Sequence, residues 1–127
     1  MTALSFVSVG VGAVLGAWVR WALSIILPSP PMFFPMGTFV ANLIGGFLIG
    51  ASVEYLSLQP SISPQVKLFL VTGLLGALTT FSTFSMEAVS LIMRQQYLTC
   101  VLHVSLHVFG SISFTVLGVL SIRAIHN

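Results

Sequence analysis

The chain has 127 residues, of which 57% are hydrophobic and 5% are charged, whereas soluble domains carry about 25% charged residues. Two acidic and four basic side chains cannot cover a water-soluble fold, so the composition excludes an ordinary soluble domain and indicates a membrane protein. The four basic residues lie scattered along the chain and form no phosphate-binding patch, so we expect no nucleic-acid partner.

Four apolar segments are long enough to cross a bilayer, which takes about 20 helical residues. They cover residues 4–27, 37–58, 66–93 and 98–122. Because lipid offers the backbone no hydrogen bonds, spans are helices or closed barrels, and continuous apolar runs favour helices over alternating barrel strands. The sequence therefore predicts a single all-α domain over residues 1–127 with four transmembrane helices. Prolines or polar residues separate the spans, namely Pro28, Pro30, Pro31, Pro35, Pro60, Pro64 and residues 94–96.

Small residues recur at four-residue spacing in the first two spans. Gly12, Gly16 and Arg20 share one face of the first helix, and Gly46 and Gly50 share one face of the second. This pattern lets helices pack closely. Arg20 either extends its charge to the membrane interface or attracts an anion.

The third span carries an unusual density of polar groups. Five hydroxyl side chains and the carboxylate of Glu87 lie within residues 79–87, although polar groups inside a span cost free energy. Gly73 and Gly76, followed by the β-branched pair Thr79 and Thr80, predict a break in the helix near mid-span. Backbone carbonyls freed at such a break can coordinate a cation.

Beyond the break, the residue spacing defines two adjoining faces. Thr80, Thr83 and Glu87 form one polar stripe, while Phe81 and Phe84 lie together on the next face. Two phenylalanines at this spacing are usually packing residues. Beside a hydroxyl stripe they have a second interpretation, because the positive edge of an aromatic ring can face an anion.

The fourth span carries His103, His107, Ser111 and Thr115 at strict four-residue spacing, which predicts a polar ribbon. The two histidines could ligate a metal, but no third ligand with matching spacing follows, which favours hydrogen bonding. Ser111 and Thr115 either line a pore or donate to a carbonyl one turn earlier. Asn42 in the second span is likewise either a link between helices or a functional group.

The basic residues give no clear orientation in the membrane. Lys67 and Arg123 fall on one side of the predicted topology, and Arg20 and Arg94 fall on the other. Since lysine and arginine normally concentrate on the cytoplasmic side, this balance permits insertion in both directions and hence an antiparallel homodimer. A fixed topology set by other features is the alternative.

The chain resembles the Fluc, or CrcB, family of fluoride channels across essentially its whole length. Three segments carry the resemblance: GAVLGAWVRW at residues 12–21, GTFVANLIG at 37–45 and GLLGALTTFSTFS at 73–85. The third segment is highly specific. The resemblance implies a fluoride channel that exports the ion across the cell membrane, in bacteria the inner membrane, and so limits its toxicity.

The resemblance also implies an assembly and a set of sites. The assembly is a dual-topology homodimer with two antiparallel pores. Fluoride would pass Asn42, Phe81, Phe84, Ser111 and Thr115, beside a polar track of Thr80, Thr83 and Glu87. Backbone oxygens of Gly76 and Thr79 would hold a structural sodium ion on the dimer axis.

The sequence leaves two other classes of transporter open. One is a small proton-coupled exporter of cationic drugs, although the first span holds Arg20 where such proteins have a buried carboxylate. The other is proton-coupled transport of fluoride through Glu87. We expect no enzymatic activity, because no nucleophile and base are paired in the sequence.

Overall fold

The computed structural model describes residues 2–27, 29 and 34–127, and all regular structure in them is helical. Helix α1 covers Ala3–Ile26, α2 covers Met36–Leu58, α4 covers Phe81–Met93 and α5 covers Tyr97–His126. Helix α3 (64–78) joins the α-helical turns Pro64–Lys67 and Gly76–Leu78 through a π-helical stretch, Leu68–Leu75. Pro28, Pro30 and Pro31, which the sequence predicts as separators, lie outside the described residues.

Four helical segments of the described chain are long and apolar enough to cross a membrane: Ala3–Ile26, Met36–Leu58, Pro64–Met93 and Tyr97–His126. The prediction of an all-α fold with four spans is therefore confirmed. The third span begins earlier than residue 66, because Pro64 occupies the first helical turn, where a missing N–H is tolerated. The fourth runs past residue 122 to His126.

The predicted break in the third span is confirmed, and it falls between α3 and α4. Thr79 and Thr80 both have extended backbone, with ψ angles of 153° and 122°. The Thr80 hydroxyl then accepts a hydrogen bond from the Thr83 amide at 3.1 Å and caps α4. The chain thus leaves one helix and starts another within two residues.

Glycines place the backbones in direct contact at two helix pairs. Gly12 and Gly16 of α1 are buried against α3, where an added Cβ atom at Gly16 would strike the Leu74 carbonyl. Gly46 and Gly50 of α2 lie in the same way against α5. The small-residue pattern of the sequence therefore marks packing surfaces, as close approach requires.

The interior is small and most large apolar side chains face outward. Ala41, Leu75 and Leu78 form the buried core where α2 meets the end of α3, each at most 4% exposed. Large apolar residues of α1, α4 and α5 are largely exposed. This distribution is typical of a bundle surrounded by lipid, because hydrocarbon accepts apolar side chains without cost.

Candidate functional site

Asn42 holds the break in the third span open. Its Oδ1 accepts a hydrogen bond from the Thr80 amide at 2.8 Å, and its Nδ2 donates to the Thr80 carbonyl at 3.1 Å. The side chain therefore replaces the partners that both backbone groups of Thr80 would have in a helix. This paired contact explains why extended backbone persists at membrane depth, where unpaired groups are costly.

The break releases the two carbonyls that the resemblance assigns to sodium. In a continuous helix, the amides of Thr80 and Thr83 would bond the carbonyls of Gly76 and Thr79. Instead the Thr80 amide donates to Asn42 and the Thr83 amide donates to the Thr80 hydroxyl. The donor set therefore fits a hard cation, which prefers oxygen ligands.

Arg20 lies on the other side of the break. Its Nε donates to the Ala77 carbonyl at 3.0 Å, and the side chain is partly buried. Of the two interpretations that the sequence allows, the structure gives Arg20 a structural contact with the end of α3. Arg20 also borders a second, smaller cavity.

A cavity of about 350 Å³ lies beside the break, between α2, α4 and α5. Phe84 forms part of its wall and is only 8% exposed, whereas Phe81 is 78% exposed at its rim. The two ring centroids are 5.4 Å apart, with an interplanar angle of 45°. Ten residues line the cavity: Asn42, Gly46, Thr79, Thr80, Phe81, Phe84, His107, Val108, Ser111 and Ile112. Four of the five residues predicted for a fluoride pore are among them.

The fifth, Thr115, lies one turn further along α5. Its hydroxyl donates to the Ser111 carbonyl at 2.9 Å, which is the internal bond that the sequence offers as an alternative to pore lining. Its oxygen is also close to Gly46, where an added Cβ atom would lie 3.2 Å away. Ser111, in contrast, borders the cavity directly.

Each residue of the predicted polar track takes part in a side-chain hydrogen bond. Thr80 Oγ1 donates to Thr83 Oγ1 at 3.0 Å, and Glu87 Oε1 accepts from the Thr38 hydroxyl at 2.5 Å. A second cavity of about 190 Å³ lies along this track, bordered by Arg20, Thr38 and Thr83. Thr80 lines the larger cavity and its hydroxyl bonds that of Thr83, which lines the second cavity, so the track and the larger cavity meet at the break.

The two histidines of α5 are buried between the cavity and Glu87. His103 Nε2 donates to the Phe84 carbonyl at 3.3 Å and lies 3.6 Å from Glu87 Oε2. His107 Nδ1 accepts from Asn42 Nδ2 at 3.2 Å. Both therefore make the hydrogen bonds that the sequence favours. The third potential ligand that α5 lacks is supplied by Glu87 from α4.

The sequence analysis gives no role to Thr38, which the structure places against Glu87. Its position carries a signal, because Thr38 lies one helical turn before Asn42 on the same face of α2. Phe34 is a second residue of the site without a predicted role. Its ring covers both histidines, with centroids 5.2 Å from His103 and 5.8 Å from His107.

Comparison with known proteins shows relatives along nearly the entire chain. A protein of Ralstonia pickettii (strain 12J) named fluoride-specific ion channel FluC is 46% identical over 97% of this chain and 98% of its own length. Proteins of the same name from Ralstonia nicotianae and Pseudomonas putida (strain W619) are 45% and 46% identical. They cover 98% and 90% of this chain, and 99% and 90% of their own lengths.

These relatives are bacterial proteins, and the chain has four membrane-capable helices in its described residues. It is a multi-pass protein of the bacterial inner membrane. The family profile described as "CrcB-like protein, Camphor Resistance (CrcB)" matches residues 7–119. The extent of this match and the identity to the relatives show that the chain belongs to the CrcB family.

Proposed function

We propose that this protein is a fluoride-selective channel that exports fluoride from the cell. One observation carries the proposal: the cavity at the broken helix brings together phenyl rings, a hydroxyl and an amide, namely Phe81, Phe84, Ser111 and Asn42. Fluoride is proposed as the ion of this cavity because similar proteins are named fluoride-specific ion channels. As a channel the protein would perform no chemical reaction.

The chemistry of the wall suits a small dehydrated anion. Moving a bare ion into a low-dielectric medium costs tens of kcal/mol if nothing replaces its water. One hydrogen bond to a charged group contributes about 1.5–3 kcal/mol net, so a series of contacts is needed. Phe81, Phe84 and Ser111 border the cavity, and ring edges turned toward the ion would, with the Ser111 hydroxyl, supply such contacts along one wall.

The position of Arg20 favours conduction over tight binding. The residues that line the larger cavity include no lysine or arginine, and Arg20 is held on the far side of the break by Ala77. Its charge can attract an anion through the bundle without forming a fixed ion pair in the path. Weak repeated sites let an ion both enter and leave, as conduction requires.

We further propose that two copies associate in opposite orientations and form two antiparallel pores. Phe81 is 78% exposed at the rim of the cavity, which one chain leaves open on that side. A second copy would cover the ring and complete the wall. The even distribution of basic residues between the two sides supports an antiparallel arrangement.

A sodium ion at the centre of this dimer belongs to the same proposal. The carbonyls of Gly76 and Thr79 would hold it, because the amides that would otherwise bond them donate elsewhere. When bound, sodium supplies a positive charge that satisfies carbonyl oxygens at membrane depth. Gly76 is exposed, so its carbonyl can be shared with a second chain.

Proton-coupled transport is the second candidate, and one observation favours it. Glu87 and the buried His103 and His107 form a titratable cluster next to the cavity. Such groups within spans often mark proton relays. The coupled substrate would be fluoride or a cationic drug. The drug fits less well, because the first span holds Arg20 and not a buried carboxylate.

Fluoride efflux from liposomes at fixed voltage separates the two candidates. A channel gives the same efflux rate with and without a pH gradient, whereas a coupled transporter accelerates when protons flow in the opposite direction. Glu87→Gln provides the matched variant, since it removes the charge but keeps the side-chain shape. Efflux that follows the pH gradient in the wild type and loses this dependence in Glu87→Gln would contradict the channel proposal.

A further inference from the structure

We propose that Glu87, His103 and His107 form a binding site for Zn²⁺. Each residue offers one ligand atom, and these three atoms lie within 4.8 Å of one another. The carboxylate comes from α4 and both imidazoles come from successive turns of α5. Two histidines and one carboxylate form a known zinc donor set that leaves the fourth position open.

Three atoms of the cluster are buried without a hydrogen-bond partner among the described residues. They are Glu87 Oε2, His103 Nδ1 and His107 Nε2. The histidine side chains are also among the most buried polar groups, with His103 at 0% and His107 at 4% exposure. Unpartnered polar atoms inside a protein are costly, and here they occur on the three residues that face one another. A bound cation would satisfy the carboxylate and both rings at once.

The opposite end of the carboxylate is already held in the way that metal sites require. The His103 ring is oriented by the Phe84 carbonyl, which accepts from Nε2; because Nε2 is also the nitrogen that lies 3.6 Å from Glu87 Oε2, ligation beside the carboxylate needs the ring proton to move to Nδ1. Glu87 Oε1 accepts from Thr38, which leaves Oε2 free to bind. Outer contacts of this kind orient metal ligands and raise their affinity.

His107 needs one local change. Its Nδ1 accepts a hydrogen bond from Asn42, which leaves the proton on Nε2. To ligate through Nε2, the ring must pass the Nε2 proton to Nδ1, which then gives up the hydrogen bond that it accepts from Asn42. Since a metal–imidazole bond is much stronger than a neutral hydrogen bond, binding drives this change. His107 borders the larger cavity, which provides a route for entry.

The donor set distinguishes zinc from other cations. Calcium and magnesium prefer oxygen ligands throughout, so two imidazoles select against them. Sodium, for the same reason, suits the carbonyls of Gly76 and Thr79 at the break rather than this cluster. The proposed zinc site is therefore separate from the sodium site in both chemistry and ligands.

Equilibrium titration of the purified full-length protein in detergent with ZnCl₂ tests the proposal. We expect one Zn²⁺ per chain, unaffected by excess Ca²⁺. His103→Gln and Glu87→Gln should each weaken binding by more than about 100-fold, and Thr38→Val by about 10–100-fold, because it removes only an outer contact. His126→Gln is the matched control, since His126 is exposed at the end of α5.

Binding is measured without fluoride flux, so the zinc site and the proposed channel can fail separately. Gel filtration identifies variants that do not fold, and Thr38→Val keeps the comparison informative if His103→Gln is one of them. X-ray absorption should show nitrogen and oxygen ligands at about 2.0–2.2 Å. No saturable binding by the wild type, or equal loss in His126→Gln and His103→Gln, would overturn the proposal.

Discussion

Among single residues, Asn42 links the helix break to the histidine pair. Its amide pairs with both backbone groups of Thr80 and also reaches His107. Because both Nδ2 hydrogens are engaged, Asn42 acts here by holding the break. An anion that needs its amide must first displace one of these bonds.

Asn42→Ala should therefore lower both stability and flux. The substitution leaves the N–H and C=O groups of Thr80 without partners, at about 1–3 kcal/mol for each buried group. Thermal unfolding in detergent and fluoride efflux from liposomes measure the two effects. Asn42→Asp keeps the acceptor oxygen but turns a second acceptor toward the Thr80 carbonyl, so it should not rescue the variant. Wild-type melting and efflux in Asn42→Ala would show that the clamp is unimportant.

Phe81 provides a second test at the same scale. Phe81→Ile removes the ring from the rim of the cavity, so we expect fluoride efflux to fall sharply. The protein should still fold, because Phe81 is 78% exposed in one chain. Phe109→Ile is the control, since Phe109 is 70% exposed on α5 and does not border the cavity. Equal efflux from both variants would remove the ring from the mechanism.

At the level of the helices, direct contact between backbones fixes the position of α2 relative to α5 and so keeps the residues of the site together. Gly50 and Gly118 place α2 and α5 so close that a side chain at either position would strike a carbonyl of the other helix, that of Thr115 or Phe47. Ser111 and Asn42 face the same cavity only because these two helices approach in this way.

Gly50→Ala should therefore separate α2 from α5. Its new Cβ atom would meet the backbone of Thr115, which cannot move as a flexible side chain can, at a cost of about 1–3 kcal/mol. Gly10→Ala is the matched control, because nothing lies within 4 Å of an added Cβ atom there. That variant should be neutral or stabilised by about 0.5–1 kcal/mol. Equal unfolding transitions for the two variants would contradict this view of the helix pair.

Across the whole molecule, the charged residues affect the orientation of the chain in the membrane more than the stability of its fold. Glu54 and Arg123 form an ion pair at 2.8 Å between the ends of α2 and α5, but the arginine is exposed, so the pair adds little stability. The four basic residues remain balanced between the two sides of the bundle. Balanced charge is the condition for dual insertion.

Labelling at the C-terminus tests dual insertion. In an Asn127→Cys variant whose native Cys100 is replaced by alanine, a membrane-impermeant maleimide should label about half of the chains in intact cells. The same labelling of permeabilised cells measures the total number of chains. Labelling of all chains or of none would show a single orientation and would exclude the antiparallel dimer.

The sequence predicts the fold well because the bilayer imposes simple rules. Apolar length sets the four spans, and the run of hydroxyl residues after Gly76 marks the break. The π-helical stretch Leu68–Leu75 was not predictable, since its apolar residues fit an α-helix equally well.

The site was predictable only in part. Spacing along one helix places Phe81 beside Phe84 and Ser111 beside Thr115. Contacts between helices depend on rotation and depth, which spacing does not give. The clamp of Asn42 on Thr80 and the approach of Glu87 to His103 are therefore findings of the structure.

Fluoride and chloride efflux from liposomes that contain only this purified protein tests the central proposal most directly. A wall of ring edges, hydroxyls and an amide around a narrow path should pass fluoride rapidly and hold back chloride. Fluoride release far above that of protein-free liposomes, with chloride retained, is the expected result. Vesicles that hold fluoride as well as protein-free ones, or that release both halides equally, would contradict the account.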